Sequence, residues 1–404
     1  MNRAALVAQL VNEAIPLSIH WDLTWRCDHK CVHCYLIDRR QDELSLEEAI
    51  TTLDQLAQAG VMSLLISGGD PFLRPDAIDI IRAARERRFD VKINTHGNFI
   101  DEVLADELAR LKVSQISLSL YSMDPQEHEA ITLITGSHAK TIRAAELLRA
   151  RGVKVKFKTP IMEHNRKGYK DVGVIAEKLG AEWELDASII PDDESDFGLC
   201  NIGVSQSERM MGLLTSMEAR AVPYQGWEDL PAQGENDRVC SAGTVSGYIS
   251  PDGRVFPCLN WREDLGSLRE QSFDEIWGSN PTTEKVRRIR RSSYLGDCDG
   301  CAFHTRCNYC PGISHAEMGD ASRRSAFVCE RTHITMGAAE RWSDLQARGE
   351  SVPHGCEEQN ILFDQQKPSF AERQWAARYA GLSSPKDRIR PVNHGLIQIS
   401  EPRD

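Results

Sequence analysis

Residues 25 to 35 read Trp25-Arg26-Cys27-Asp28-His29-Lys30-Cys31-Val32-His33-Cys34-Tyr35, and three cysteines in eight residues govern how the whole chain is understood. A tetrahedral structural metal usually takes four protein ligands, and a four-iron cluster has four irons to ligate. Three local thiolates therefore predict a cluster with one open iron. An open position lets a small molecule bind and react, much as three-ligand zinc sites keep a place for substrate. A zinc knuckle that borrows a distant fourth ligand competes with this, with His29 or His33 as nearby candidates.

On either side of this loop the chain alternates. Leu17 to Leu23 is apolar and partly alternating and predicts a strand feeding the loop. Ser45-Leu46-Glu47-Glu48 is a capping box that opens an apolar-periodic helix running to about Ala59-Gly60. A second strand, Met62 to Ser67, runs into Gly68-Gly69-Asp70-Pro71. Two glycines let a backbone approach a ligand closely, and a carboxylate at a strand end can accept from an ammonium. Further strands are expected at Val91 to Thr95, Gln115 to Leu120, Val153 to Thr159 and Trp183 to Ala187. Helices are expected at Asp101 to Leu111, Lys140 to Arg151 and Lys170 to Leu179. The fold class is α/β, because strand-helix alternation implies a parallel sheet with right-handed crossovers. Active residues of such barrels gather at the carboxyl ends of the strands. That places Asn94, His96, Ser119, Tyr121 and Lys158 on the ligand face, though each is equally readable as a polar residue satisfied at the rim.

The second half carries Cys240, a Ser250-Pro251-Asp252-Gly253 turn between strand-like segments, and Cys258. Then come Cys298, Cys301, Cys307 and Cys310, spaced Cys-x2-Cys-x5-Cys-x2-Cys, and finally Cys329. Zinc ribbons are the alternative for seven cysteines so spaced.

The first loop, with spacing three then two and the aromatic His33 before its last cysteine, resembles the signature of the radical S-adenosylmethionine (SAM) enzymes. The resemblance implies an incomplete (β/α)6 barrel of TIM type. It also implies a [4Fe-4S] cluster on Cys27, Cys31 and Cys34, with SAM chelating the fourth iron and cleaved on reduction to a 5'-deoxyadenosyl radical. Gly68-Gly69-Asp70 stands where the family's glycine-glycine-acid motif holds the methionine amine, with Asp in place of the usual Glu. His33, Asn94 and Ser119 join it as SAM-binding residues, Ser119 toward the ribose. The later cysteines resemble the SPASM extension, a small Cys-rich α+β domain, although two residues rather than three separate Cys307 from Cys310. By that resemblance one auxiliary [4Fe-4S] cluster takes Cys240, Cys258 and Cys310 and the other Cys298, Cys301, Cys307 and Cys329. The first then has an open iron unless Cys200 supplies its fourth ligand.

Enzymes of this architecture mostly modify a peptide or protein side chain, often in a ribosomally made precursor, by a thioether, a carbon-carbon bond or an oxidation. The implied partners are a precursor peptide or protein, a separate leader-peptide recognition protein, and a flavodoxin- or ferredoxin-type reductant. Three alternatives stand beside this. One is a haem- or tetrapyrrole-pathway enzyme. Another is an anaerobic sulfatase maturase forming formylglycine, for which Asp192, Asp193 and Asp196 offer a carboxylate. The third is an iron-sulfur electron carrier or sensor, against which the intact Gly68-Gly69-Asp70 speaks.

Composition fits a globular protein of two to three domains in 404 residues, 41% of them hydrophobic. With 60 acidic and 48 basic residues, the formal charge of -12 argues against tRNA or DNA as partner. Arg287, Arg288, Arg290 and Arg291 form a basic run, expected as a solvated helix face, with an acidic-peptide docking surface the alternative. No signal peptide and no run of about 18 apolar residues is seen, so a cytoplasmic protein with no membrane span is expected. In that compartment short Cys-x2-Cys spacing favours metal over disulfides, and Cys356 remains a surface or tail thiol. The expected divisions are a lead-in helix over 1–16 with Leu6, Leu10 and Val11 on one face, and the barrel over 17–190. A linker with a bridging helix near Ser207 to Arg220 follows over 191–238, then the cluster domain over 239–335. A helix around Met336 to Ala347 and a polar tail complete 336–404.

Overall fold

The computed structural model describes residues 9–37, 42–220, 228 and 230–352. Leu6, residues 221–227 of the linker, Cys356 and the tail from 353 onward lie outside the described residues.

Six strands lie parallel and in chain order: β1 (Ser18–Thr24), β2 (Ser63–Gly68), β3 (Asp90–Thr95), β4 (Gln115–Ser119), β5 (Val155–Pro160) and β6 (Glu182–Asp186). Between them run α1 (Leu46–Gln58), α2 (Ala77–Glu86), α3 (Glu102–Arg110), α4 (Pro125–Thr132), α5 (Ser137–Ala150) and α6 (Asp171–Leu179). This is the expected partial (β/α)6 barrel. The Ser45/Glu48 capping box starts α1 as anticipated, each side chain satisfying the other's backbone amide. Two helices were not foreseen. The Asp76 side chain makes no cap bond to α2, so that helix lacks a local start signal. By contrast α4 has an Asp124 cap and Pro125 in its first turn, a start signal passed over in a short helix.

Each strand divides its side chains between two faces. Ile19, Trp21, Leu23, Leu64, Ile66, Val91, Ile93, Ile116, Leu118, Val155 and Phe157 pack with the helices in one large core. The opposite face is mostly polar: His20, Asp22, Ser67, Asn94, Ser117, Ser119, Lys156, Lys158, Glu184 and Asp186 occupy the alternate positions, with Leu65 among them. The barrel interior is thus lined with hydrogen-bonding groups.

The second half is divided between two cores: Tyr294, Cys298, Cys307, Tyr309, Ile313, Phe327 and Val328 cluster with Phe197, while its first strands join the barrel. Strand β7 (Ser246–Ile249) pairs parallel with β1, and β8 (Arg254–Phe256) and β9 (Gly266–Ser267) continue antiparallel, giving one nine-stranded sheet. Ile249, Val255, Trp261, Leu265, Phe273, Ile276 and Trp277 belong to the barrel's own core. The rest is helical: α7 (Gln206–Ala219), α8 (Phe273–Gly278), α9 (Pro281–Arg287), α10 (Leu295–Cys298), α11 (Pro311–Met318) and α12 (Ala326–Arg348). The division at 335 falls inside α12, whose Ile334, Ala338, Trp342 and Leu345 pack on Met210, Met211 and Leu214 of α7.

Candidate metal and cofactor site

The cysteine loop leaves β1 and is tied down on all sides. Gly69 N donates to Thr24 O and Asp70 N to Arg26 O, both at 2.9 Å. A Cβ on Gly68 would lie 2.0 Å from Thr24 O, and Gly68 has φ +133°; one on Gly69 would lie 2.2 Å from Arg26 O. The glycine pair is therefore required by the chain's own backbone, not only by a ligand, as the sequence alone suggested. On the far side Lys30 N donates to Thr132 O (3.2 Å) and Val32 N to Ile131 O (3.0 Å), so the unforeseen α4 carries the loop. Asp193 N donates to Tyr35 O at 2.9 Å, and Asp193 Oδ1 accepts from Ile37 N at 3.1 Å. Asp192 and Asp196 accept from the amides of Glu194, Asp196 and Gly198. The three aspartates thus serve the backbone as turn and strap.

Asp70 is fully buried, and its carboxylate accepts from Phe72 N (3.0 Å), Thr95 Oγ1 (2.5 Å) and His96 N (3.1 Å). Its donors come from the chain itself, so an ammonium at this place would meet the glycine backbone rather than an empty carboxylate. His96 Nε2 lies 2.9 Å from Asp28 Oδ1 and 3.1 Å from Asp70 Oδ2. Burial disfavours its charge, but the two carboxylates and Cys27 outweigh burial and push its pKa up to about 10. His29 stacks on His96 with centroids 3.8 Å apart and bonds Asn98 at 2.9 Å.

Among the expected cofactor residues, two polar atoms are buried without a partner: His33 Nδ1 and Asn94 Oδ1. Burial drives the His33 pKa down to about 4, which keeps the ring neutral. An unpaired buried acceptor is costly, and a bound polar ligand relieves it. Ser119 and Cys31 lie beside the phenol of Tyr121, while the Tyr121 ring meets His33 edge-on at 4.9 Å. Lys158 faces Glu184 and Asp186.

The later cysteines fall into two groups. Cys240 interacts with Cys258 and Cys310, and Cys307 with Cys298, Cys301 and Cys329. The second four line one apolar pocket together with Tyr309, Thr332 and His333. Cys200 packs against the apolar cluster that holds Cys298 and Cys307, as Cys310 does, and also interacts with Arg209, Asp192 and Asp196. Burial, reinforced by the neighbouring sulfurs, pushes Cys240 and Cys307 up to about 12, so their thiolates need the charge of a metal to form. Among the described residues no three cysteine sulfurs lie mutually within 4.8 Å. A tetrahedral mononuclear site with bonds of about 2.3 Å would need sulfurs about 3.8 Å apart.

The arginine run is not a solvated face. Arg291 is 1% exposed and donates to His304 O and Cys307 O beside the second cysteine group. Arg287 donates to Gly243 O at 2.6 Å and lies over the Trp277 ring. Arg288 alone is as expected, exposed and paired with Glu284.

With this geometry in hand, comparison with known proteins is decisive for the family. Residues 22–175 match the radical SAM superfamily, and residues 240–302 match SPASM, an iron-sulfur cluster-binding domain. The chain is a radical SAM protein with a SPASM extension. Among curated radical SAM relatives, an AdoMet-dependent heme synthase of Methanosarcina barkeri is 26% identical over 335 residues, covering 76% of this chain and 94% of that one. PqqA peptide cyclase of Granulibacter bethesdensis is 27% identical over 288 residues, covering 67% and 76%. The solved structure of Streptococcus suis SuiB bound to precursor peptide SuiA superposes with TM-score 0.63 at 17% identity, covering 80% of this chain and 79% of that one. Within this SPASM protein, Asp28, His29, Asn98 and Thr132 hold the cysteine loop, and no spacing motif announces them. Among the described residues no helix is long and apolar enough to cross a membrane.

Proposed function

We propose that this radical SAM-SPASM enzyme modifies a side chain of a ribosomally made precursor peptide. Cys27, Cys31 and Cys34 would hold the SAM-binding [4Fe-4S] cluster. Cys240, Cys258 and Cys310, and Cys298, Cys301, Cys307 and Cys329, would hold two auxiliary clusters. When bound, the first cluster and SAM supply a 5'-deoxyadenosyl radical that abstracts hydrogen. The protein's part is placement. The Gly68-Gly69 backbone and the unpartnered Asn94 Oδ1 and His33 Nδ1 offer polar contacts to SAM at the strand ends. Tyr121 and the stacked His29 and His96 close the loop's inner side.

The polar wall of the barrel carries the peptide reading. Ser67, Asn94, Ser117, Lys156, Lys158, Glu184 and Asp186 face the interior, and Lys156 pairs with Glu184 at 3.0 Å. Such a wall hydrogen-bonds an extended peptide, whereas a planar tetrapyrrole favours apolar slabs. The names PqqA peptide cyclase and SuiB bound to precursor peptide support the same substrate class. A separate leader-recognition protein and a flavodoxin- or ferredoxin-type reductant complete the proposed cytoplasmic system.

Anaerobic reconstitution, iron and sulfide counting and dithionite-driven SAM cleavage test this, followed by mass spectrometry of peptides encoded near the gene. About 8 to 12 iron per chain, 5'-deoxyadenosine and a peptide mass change are expected. The heme-synthase likeness supplies the competing outcome: a Soret shift with a tetrapyrrole and no change in any peptide would overturn the proposal.

A further inference from the structure

Arg262 follows Cys258 by four residues, and its side chain keeps 19% of its surface exposed. Its guanidinium carbon lies 4.9 Å from the Tyr248 ring centroid and 5.7 Å from that of Phe256, so two aromatic rings hold it in place. Two of its nitrogens, Nε and Nη2, are buried without an acceptor. These form the side-on edge of the guanidinium, whose parallel N–H groups match the two oxygens of one carboxylate.

The acid beside this edge does not complete it. Asp193 Oδ2 stands 4.0 Å from Nη2, beyond hydrogen-bond distance. Asp193 is held there by Ile37 N on its other oxygen and by its own amide on Tyr35 O. A desolvated cation with an unfilled fork is costly, and the cost is removed when a carboxylate arrives.

Position says whose carboxylate that is. Arg262 lines a small cleft open to solvent. One wall is Tyr35, the residue after Cys34; another is Leu259 and Asn260, just after Cys258; a third is Gly312 and Ile313, just after Cys310; the fourth is Asp192, Asp193 and Ser195, whose two carboxylates are tied to backbone amides of the strap and of Ile37. The cleft therefore lies between the first cysteine loop and the Cys240/Cys258/Cys310 group, where a substrate would have to reach both.

We propose that Arg262 is the carboxylate-recognising residue of the substrate site: an Asp or Glu side chain of the modified peptide docks on its Nε/Nη2 edge. This deepens the peptide reading and rests on it. Acidic residues near the modified position would then be a specificity requirement of the enzyme. The interaction is non-covalent and needs no co-reactant.

The test uses the full-length, anaerobically reconstituted protein and an immobilised nonapeptide library in which one scanned position is fixed as Glu, Gln or Lys. On wild type, Glu peptides should be retained roughly tenfold better than their Gln counterparts, the size of one charge-assisted fork. Arg262→Gln should abolish that preference. Arg262→Lys, which keeps the charge but not the fork, should recover only part of it. Retained peptides with no preference for Glu on wild type would overturn this inference and leave the peptide reading intact. If no peptide is retained while haem binds and its dimethyl ester does not, both fail and the carboxylate belongs to a tetrapyrrole. The wild-type comparison stands even if an Arg262 variant does not fold.

Discussion

A Cβ on Gly69 would meet Arg26 O at 2.2 Å and Trp25 O at 2.7 Å, both backbone atoms without freedom to swing aside. Gly69→Ala is therefore expected to displace the cysteine loop, at a cost of roughly 1–3 kcal/mol. It should also lower iron by about four per chain and abolish SAM cleavage, as read by iron counting and chromatography. Replacing Cys27, Cys31 and Cys34 together by Ala should give the same iron loss while leaving auxiliary iron in place. SAM cleavage that survives the triple replacement would remove this loop from the chemistry. At this scale the sequence was informative where a spacing carries a family signature, as with the three cysteines inside the radical SAM match. It was silent where a residue's partner comes from far along the chain. Nothing near Asp28 or Arg262 announces His96 or the strap at Asp193, because those neighbours are made by the fold.

Among the elements, β1 carries the most. It pairs with β2 on one edge and β7 on the other, and its fully buried Asp22 accepts from Tyr248 (2.8 Å), His20 (3.1 Å) and Trp25 (3.3 Å). Tyr248→Phe removes the shortest of these bonds to a buried carboxylate and should cost about 2 kcal/mol in chemical denaturation. An unchanged midpoint would show that solvent already satisfies Asp22. Strand positions were readable because apolar and polar residues alternate against the helix layer. The parallel partnership of β1 with Ser246–Ile249 was not, since a four-residue strand carries no register information about a partner so distant. The missed α4 matters more than its length suggests, for its last carbonyls anchor Lys30 and Val32.

Across the molecule, the two later cysteine groups should be separable. Cys240→Ser with Cys258→Ser should remove about four iron, and Cys298→Ser with Cys307→Ser about four others, with distinct losses in the electron paramagnetic resonance spectrum. Loss of all auxiliary iron from either pair would mean one shared site. Arg291→Met, which strips the donors from His304 O and Cys307 O, should selectively release iron from the second group. The grouping of these seven sulfurs came from resemblance to a family, because spacing alone permits several pairings. The fusion of the second half onto the barrel sheet had no sequence signature at all, as its apolar residues look the same whichever core they join.

The same sheet has a consequence during synthesis. One edge of β1 stays bare until Ser246–Ile249 has left the ribosome. At about 5–20 residues per second that interval is on the order of 10–50 s. Through it, a nascent barrel presents an unpaired strand edge, the kind of surface that recruits other chains. Slow or interrupted translation after residue 190 should therefore yield aggregates rather than a stable half-enzyme, and chaperones that shield strand edges should raise the yield of the intact protein.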